Sequence, residues 1–466
     1  MKSSSQPIHI HIGLVGHIDH GKTELARALS EKVFTAGLDR HPQAQRRGIT
    51  IDLGFTMFNL GKYIVTLVDA PGHADLIRSV VAGANIIDAA ILVVAADEGP
   101  KIQTGEHIVI LKSMGISNIC IAITKCDLVN EEKQDHVESQ MRKIFRSIGI
   151  KDISIVRLSA KTGTGIEKLR ETLLKIIEPK LRLTEEPFSL PIDHAFSVRG
   201  HGTVATGTIL SGSIEIGDSV ELMPHGILTK VRTIQTFGVS RESAQAGDRV
   251  GINIPDIKSE LVSRGDYLSW PGTMKKVNRV VVRIKRNELY RNKITRGMTI
   301  GATIGMPTIT AKLIPFAIEG RKNLILAETT ADTFDALLLL KQNITVQKRM
   351  NVLLLRTDLP PNSMRIIGSG EILSFDESMI FHRKRVRKGR ISRIREEDVL
   401  VEGLASRKET AQKLNGYSVH TPTGVDGILK TSFGTRGVVS AVFDKEVHLD
   451  DEVILEQITE EDVTHE

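Results

Sequence analysis

The chain has 466 residues, which at roughly 150 residues per domain suggests about three domains, or four smaller ones. Hydrophobic residues make up 41% and charged residues 25%, with 62 Lys and Arg against 56 Asp and Glu, a net charge of +6. These values describe a chain that buries real cores, argue against a disordered one, and allow a polyanionic partner without proving one.

In the first third, apolar strand-like runs alternate with helical patterns. Residues 8–16 read as a strand with a glycine-rich end, and 23–32 as the helix after it. Strands rich in Val and Ile are predicted over 62–69, 89–95 and 118–124, with helices over 75–82, 103–114 and 136–146. A strand over 153–158 and a helix over 166–177 close the series, and such alternation means a parallel sheet covered on both faces. Glu178-Pro179 and the polar stretch 182–187 mark a boundary. Beyond it, short strands such as 204–210, 219–222 and 249–254 are separated by glycine-containing turns, the grammar of a barrel or sandwich. Pro271-Gly272 precedes another β-rich stretch, from about Asn278 to Asp376. A basic run from Arg383 to Arg395 and a last β-rich segment follow. Nowhere do about 18 apolar residues run together, so no membrane-spanning helix is expected. The polar start, residues 1–7, lacks a signal peptide's apolar stretch. Two cysteines, Cys120 and Cys126, cannot build a disulfide framework and lack metal-ligand spacing, which fits a reducing, cytoplasmic setting.

Gly16-His17-Ile18-Asp19-His20-Gly21-Lys22-Thr23 fits the pattern G-x-x-x-x-G-K-[ST] between a predicted strand and helix, as that motif requires. Its glycines let successive backbone N–H groups curl around a phosphate, and the helix N-terminus adds its positive end. Lys22 then reaches the β- and γ-phosphates and the Thr23 hydroxyl ligates Mg²⁺; Asp19, His20 and Glu24 complete the nucleotide-binding loop. In Arg47-Gly48-Ile49-Thr50 the Thr50 hydroxyl offers a Mg²⁺ ligand only when a γ-phosphate is present. In Asp69-Ala70-Pro71-Gly72-His73, Asp69 holds the magnesium through water and the Gly72 N–H touches the γ-phosphate. Thr124-Lys125-Cys126-Asp127 follows a strand, and the Asp127 carboxylate accepts two hydrogen bonds from guanine. Ser159, Ala160 and Lys161 complete the base pocket through a backbone N–H on the guanine oxygen. Each short motif alone is an ordinary loop; in this order they are the parts of a GTPase.

Residues 8 to about 180 resemble the G domain of translational GTPases of the elongation factor Tu group, matching GHIDHGKT, RGIT, DAPGH and SAK. The departure is Thr124, where the family has an Asn that braces the phosphate loop and the base; it implies weaker packing there. The resemblance makes His73 the catalytic residue that positions the attacking water. It makes Ile18 and Ile49 an apolar gate that keeps this imidazole back until the ribosome engages. A solvated loop histidine and simple packing between loops are the plainer readings of the same residues. The run from Val198 to Gly207, VRGHGTVATG, is similar to the second-domain signature of tRNA-delivering factors.

The expected architecture is therefore multidomain: an α/β P-loop GTPase domain followed by three β-barrel or β-rich domains. The boundaries fall at 1–183, 184–272, 273–380 and 381–466. A fourth domain and no Cys-rich zinc knuckle set the chain apart from general elongation factors and from the gamma subunit of initiation factor 2. The composite resembles the selenocysteine-specific elongation factors of archaea and eukaryotes, as do IDLGF at 51–55 and PIDHAF at 191–196.

That resemblance implies a factor that binds GTP and GDP with Mg²⁺ and carries selenocysteinyl-tRNA to the ribosome at recoded UGA codons. It hydrolyses GTP to GDP and phosphate, and the selenocysteine insertion element of the messenger RNA is a partner, directly or through an adaptor. It is a cytoplasmic monomer that binds no membrane. A selenol is more acidic than a thiol, so the residue is anionic where serine is neutral, and a cationic pocket separates them by charge. Arg249 stands where general factors have a neutral residue, with Asp193 and His194 at the other pocket positions and Asp193 able to contact the aminoacyl amine. From spacing alone Arg249 and Asp193 are strand residues in a surface ion pair worth little. The basic run suits an RNA backbone or a solvated strand about equally, and the resemblance favours RNA. The alternatives are a general aminoacyl-tRNA elongation or initiation factor, a regulatory GTPase subunit of a metabolic enzyme, and a non-hydrolysing scaffold.

Overall fold

The computed structural model describes residues 8–30, 32–34, 55–69, 73–198, 202–236, 238–360, 363–376, 378–434 and 437–463. Two compact units emerge, one of residues 1–313 with 330–376, the other of 314–329 with 377–466.

The first unit begins with an α/β domain. Its strands are β1 (Ile8–Gly16), β2 (Lys32–Phe34), β3 (Phe55–Leu60), β4 (Tyr63–Asp69), β5 (Ile87–Ala95), β6 (Ile119–Thr124) and β7 (Ser154–Arg157). They form one sheet in the order β2-β3-β4-β1-β5-β6-β7. From β4 through β7 the pairing is parallel, while β2 and β3 add an antiparallel edge. All nine residues of β5 are buried, the continuous apolar run expected of a strand covered on both faces. On one face, Leu25 and Leu29 of α1 (Lys22–Leu29) pack with Leu169 and Leu173 of α5 (Ile166–Ile176). The other face is covered by α2 (His73–Gly83), α3 (Ile102–Ser113) and α4 (Glu131–Ser147), through Val80, Ile108 and Phe145 among others. Leu353 and Ile366, from far along the chain, join this second core.

Two β-rich bodies complete the first unit. Strands between Ser189 and Ser269 form an eight-stranded sheet around Leu190, Ile192, Ile234, Ile252 and Leu268. In the next body the order is Met298–Ile304, Asn351–Leu355, Ile366–Ser374, Lys275–Arg286, Thr333–Val346 and Thr308–Glu319. The last of these pairs with the first, Met298 opposite Leu313 through Thr303 opposite Thr308, so the ring closes without an edge.

In the second unit, Phe381–Ile394 pairs with Val399–Glu402 on one side and Glu452–Glu461 on the other. Val438–Phe443, Asp426–Phe433 and Ser418–His420 complete a second closed ring, filled by Ile391, Val401, Leu429, Val439 and Val453. Lys322–Ile325 lies parallel to the start of Phe381–Ile394, where Phe316 meets Phe381 edge to face at 5.2 Å. Among the described residues no helix is long and apolar enough to cross a membrane.

Candidate functional site

The sheet order decides where the chemistry gathers. The loops after β1, β4, β6 and β7 all leave from the carboxyl ends of parallel strands, the edge at which open α/β sheets bind ligands. β1 ends at Gly16, and α1 begins at Lys22 with Gly21 left-handed at its N-cap, φ 83°. The Lys22 ammonium folds over its own loop, donating to the carbonyls of Gly16 at 3.1 Å and His17 at 2.9 Å. Thr23 lies exposed on the first turn, and Glu24 beside it pairs with Arg27 at 2.5 Å. Asp19 takes a left-handed φ of 64°. His20 is fully buried, its Nδ1 3.3 Å from the Val93 carbonyl, and burial pushes its pKa below the ordinary value. His17 hydrogen-bonds Gln103 at 2.5 Å. Ile18 projects outward, 54% exposed.

The expected weakening at Thr124 is not what its side chain shows. Its hydroxyl, 2% exposed, donates to the His20 carbonyl at 2.6 Å and so ties the end of β6 to the phosphate loop. Lys125 follows with a left-handed φ of 57° and pairs with Asp97 at 3.2 Å. Asp127 stands exposed in the one-turn helix Cys126–Leu128. The Ser159 hydroxyl, hydrogen-bonded to its carboxylate, holds the Asp127 pKa below the usual range. The two loops are joined by Cys126 N–H to the Leu158 carbonyl at 3.3 Å. Ser159 N–H and Gly163 N–H are used inside their own loop. Among the described residues the N–H groups of Ala160 and Lys161 take no internal partner.

Parts of the predicted site lie outside the described residues: Ile49, Thr50 and Gly72 entirely, and the side chains of Asp69 and His73. For the last two the backbone is informative. Asp69 ends β4 opposite Leu14 of β1, and His73 is the first residue of α2.

Asp193 and Arg249 come together from strands Ser189–Val198 and Arg249–Ile254, on either side of Gly202–Thr208. The register slips between Ile192 and His194, so Asp193 occupies a bulge. The Arg249 Nη1 donates to Asp193 Oδ2 at 2.6 Å, and the Thr206 hydroxyl donates to Asp193 Oδ1 at 2.6 Å. The paired side chains are 10% and 9% exposed, so this is not the surface pair that spacing alone suggested. His194 lies next in the strand, opposite Thr206. Thr206 was missed from the sequence, where it reads as one more threonine of a hairpin; only the strand register brings it to Asp193.

In the second unit the basic run divides by face. Lys384 pairs with Glu456 at 2.9 Å and Lys388 with Glu452 at 2.8 Å. Arg383 and Arg385, on the alternate face, stand opposite the neutral Thr459 and Gln457.

The elongation factor Tu GTP binding domain family matches residues 7–179, and the family of the 40S ribosome biogenesis protein Tsr1 and BMS1 C-terminal matches residues 226–458. A selenocysteine-specific elongation factor of Methanocaldococcus jannaschii is 39% identical over 468 residues, covering 98% of this chain and 99% of the relative. One from Mus musculus is 34% identical over 335 residues, 66% of this chain and 57% of the relative. The crystal structure of translation elongation factor SelB from Methanococcus maripaludis, in complex with the GTP analogue GppNHp, has a TM-score of 0.79 at 37% identity. That match covers 97% of this chain and 99% of the other. With a P-loop GTPase domain, closed β-barrels behind it and a relative matched from end to end, this chain belongs to the selenocysteine-specific elongation factors, GTP-hydrolysing translation factors.

Proposed function

We propose that the chain selects selenocysteinyl-tRNA through Arg249 and Asp193, holds GTP in the loops after β1, β4, β6 and β7, and delivers the tRNA to the ribosome. The observation that carries this reading is the Arg249–Asp193 pair, a cation held nine-tenths out of solvent beside a carboxylate. An arginine so desolvated attracts a selenolate more strongly than one in water, and gains nothing from a neutral serine hydroxyl. With both Asp193 oxygens engaged, by Arg249 and Thr206, the carboxylate also holds the guanidinium in one orientation. His194 adds a donor at the same strand edge.

At the nucleotide, the N–H groups of the loop from Gly16 to Thr23 and the start of α1 receive the phosphates, and the Lys22 ammonium meets their charge. Asp127 and Ser159 read guanine. His73, at the head of α2, orients the water that attacks the γ-phosphate, and Ile18 shields it. The donors on offer, the exposed Thr23 hydroxyl with Asp69 and Thr50, are hard oxygens that suit Mg²⁺. The ion would supply charge neutralisation between the β- and γ-phosphates. In the C-terminal unit, Arg383 and Arg385 suit an RNA backbone, and the insertion element of the messenger RNA is sensed directly or through an adaptor. The carrier works as a monomer in the cytoplasm.

The deciding experiment measures protection of selenocysteinyl-tRNA against deacylation by the GTP-loaded protein, with seryl-tRNA on the same tRNA as control. Protection of selenocysteinyl-tRNA alone is expected. Equal protection of both would make the chain a general carrier, and protection of neither would favour a regulatory GTPase.

A further inference from the structure

A buried polar cluster lies between β1 and the turn that carries Arg249, and none of the GTPase motifs uses it. His11, on β1, is fully buried, and its Nε2 hydrogen-bonds the Gly247 carbonyl at 2.5 Å. A carbonyl only accepts, so Nε2 carries the proton, and Nδ1 is left buried without a partner among the described residues. The β1–β5 register slips between His11 and Ile12, so Asp88 stands in the bulge. Its carboxylate accepts from His11 N–H at 2.9 Å, Lys180 N–H at 2.8 Å and Arg182 Nη2 at 2.7 Å. Arg182, in the linker after α5, also donates to the carbonyls of Ile86 at 2.9 Å and His9 at 3.1 Å.

The stem of Arg182 leaves no room for a side chain on Gly247, where a Cβ would come within 2.8 Å of Nε. Gly247 also needs its left-handed φ of 94°. His9 adds a contact to Asp248 at 3.8 Å. The turn Ala246–Asp248 is thus gripped by His9, His11 and Arg182. The next residue is Arg249. At its other end, β1 runs directly into the phosphate loop at Gly16.

We propose that His11 and Arg182 are positioning residues for amino-acid selection, linking the phosphate-loop strand to Arg249 through the Gly247 turn. Coupling between two sites needs a physical element that both can bias. A β-strand with a buried hydrogen bond to the pocket turn is such an element. The proposal rests on Arg249 being the selecting residue.

The test compares the original protein with His11→Leu, His11→Gln and Arg249→Ala, each loaded with GTP or with GDP. Affinities for selenocysteinyl-tRNA and seryl-tRNA are measured in both states. His11→Leu should keep its GTP affinity within a few-fold. Its preference for selenocysteinyl-tRNA in the GTP state over the GDP state should fall about tenfold, the effect of one lost hydrogen bond. Seryl-tRNA binding should not move. His11→Gln, which retains an N–H donor, should restore most of the loss. An equal loss in both nucleotide states would mark a purely structural role and overturn the proposal, as would an unchanged ratio. Should His11→Leu fail to fold, Arg182→Lys carries the same expectation, because an ammonium cannot grip Asp88, Ile86 and His9 together; an unchanged ratio there is equally fatal. If Arg249→Ala itself leaves the selenocysteine preference intact, the pocket assignment fails and this linkage falls with it. If only Arg249→Ala acts, the pocket stands and the linkage does not.

Discussion

The Thr124 hydroxyl donates to the His20 carbonyl at 2.6 Å, joining the end of the guanine-side strand to the phosphate loop across a long stretch of sequence. In this family position an Asn amide provides the brace, and here a shorter side chain reaches the same loop. Thr124→Val keeps the shape and removes the donor, leaving a buried carbonyl unsatisfied at a cost of about 1–3 kcal/mol. Part of that cost falls on the pre-organised loop, so GTP affinity should drop about tenfold. Nucleotide titration checks it; a valine variant that binds GTP as well as the original would show that the brace is idle.

In the proposed site, Asp127 is the residue that reads guanine. A carboxylate accepts from the N–H groups of guanine, whereas an amide brings a donor suited to the 2-oxo group of xanthine. Asp127→Asn should therefore move preference from GTP towards xanthosine triphosphate. The Ser159 hydroxyl lowers the Asp127 pKa, so the carboxylate stays ionised further into acid than an ordinary aspartate. Ser159→Ala should shift the acid limb of GTP binding to higher pH. Competition binding across pH tests both, and an unmodified protein that takes ATP as readily as GTP refutes the base assignment.

Much of this architecture was legible because its signals are local. β1 and the strand Arg249–Ile254 have the bounds that their apolar runs predicted, and the phosphate loop is a contiguous pattern. Helix α4 starts at Glu131, earlier than the predicted 136, because its start is set by a cap rather than by apolar spacing. The Asn130 side chain accepts from Lys133 N–H, and Glu131 and Glu132 favour the first turn. The strand Phe55–Leu60, second from the sheet's edge, was missed, since it pairs antiparallel in a region read as wholly parallel. Side-chain partners were the least legible. Asp193 with Arg249, Thr124 with His20 and His11 with Gly247 depend on strand register, which no local pattern encodes.

His73 heads α2, directly after the Asp-x-x-Gly motif. His73→Ala should leave GTP affinity within a few-fold and abolish ribosome-stimulated hydrolysis, because the lost interaction belongs to the transition state. Single-turnover hydrolysis on ribosomes decides it, and an unchanged rate removes His73 from the chemistry.

Burial pushes the His11 imidazole from its ordinary 6.5 to about 4, with Asp88, Arg182 and His9 as its charged or titratable neighbours. The folded protein therefore keeps His11 neutral where the unfolded chain takes up a proton. Its contribution to stability is complete above pH 6.5 and is lost as the pH falls towards 4, by up to about 3 kcal/mol. Denaturant unfolding at both ends of that window should show a smaller acid loss for His11→Gln than for the original. Equal losses would mean that His11 titrates normally.

The buried pair makes the pocket prediction sharper. Arg249 and Asp193 are 10% and 9% exposed, so Arg249→Ala strips a partner from the carboxylate as well as from the incoming selenolate. Losing one member of such a pair costs roughly 2–5 kcal/mol, or about 30- to several-thousand-fold in affinity. That loss should fall on selenocysteinyl-tRNA, while the weak binding of seryl-tRNA barely changes. Stability also suffers, since among the described residues Asp193 then keeps only the Thr206 hydroxyl. The control is Asp193→Asn, which leaves Arg249 in its strand and an oxygen for Thr206 to bond. It frees the guanidinium from the carboxylate that orients it but keeps its charge, so selenocysteine preference should fall by less than with Arg249→Ala. Binding curves for the two aminoacyl-tRNAs with both variants separate the cases. If Arg249→Ala weakens both tRNAs equally, the arginine serves the fold or a phosphate. If Asp193→Asn destroys the preference as completely as Arg249→Ala, orientation of the guanidinium, and not its charge alone, carries selection.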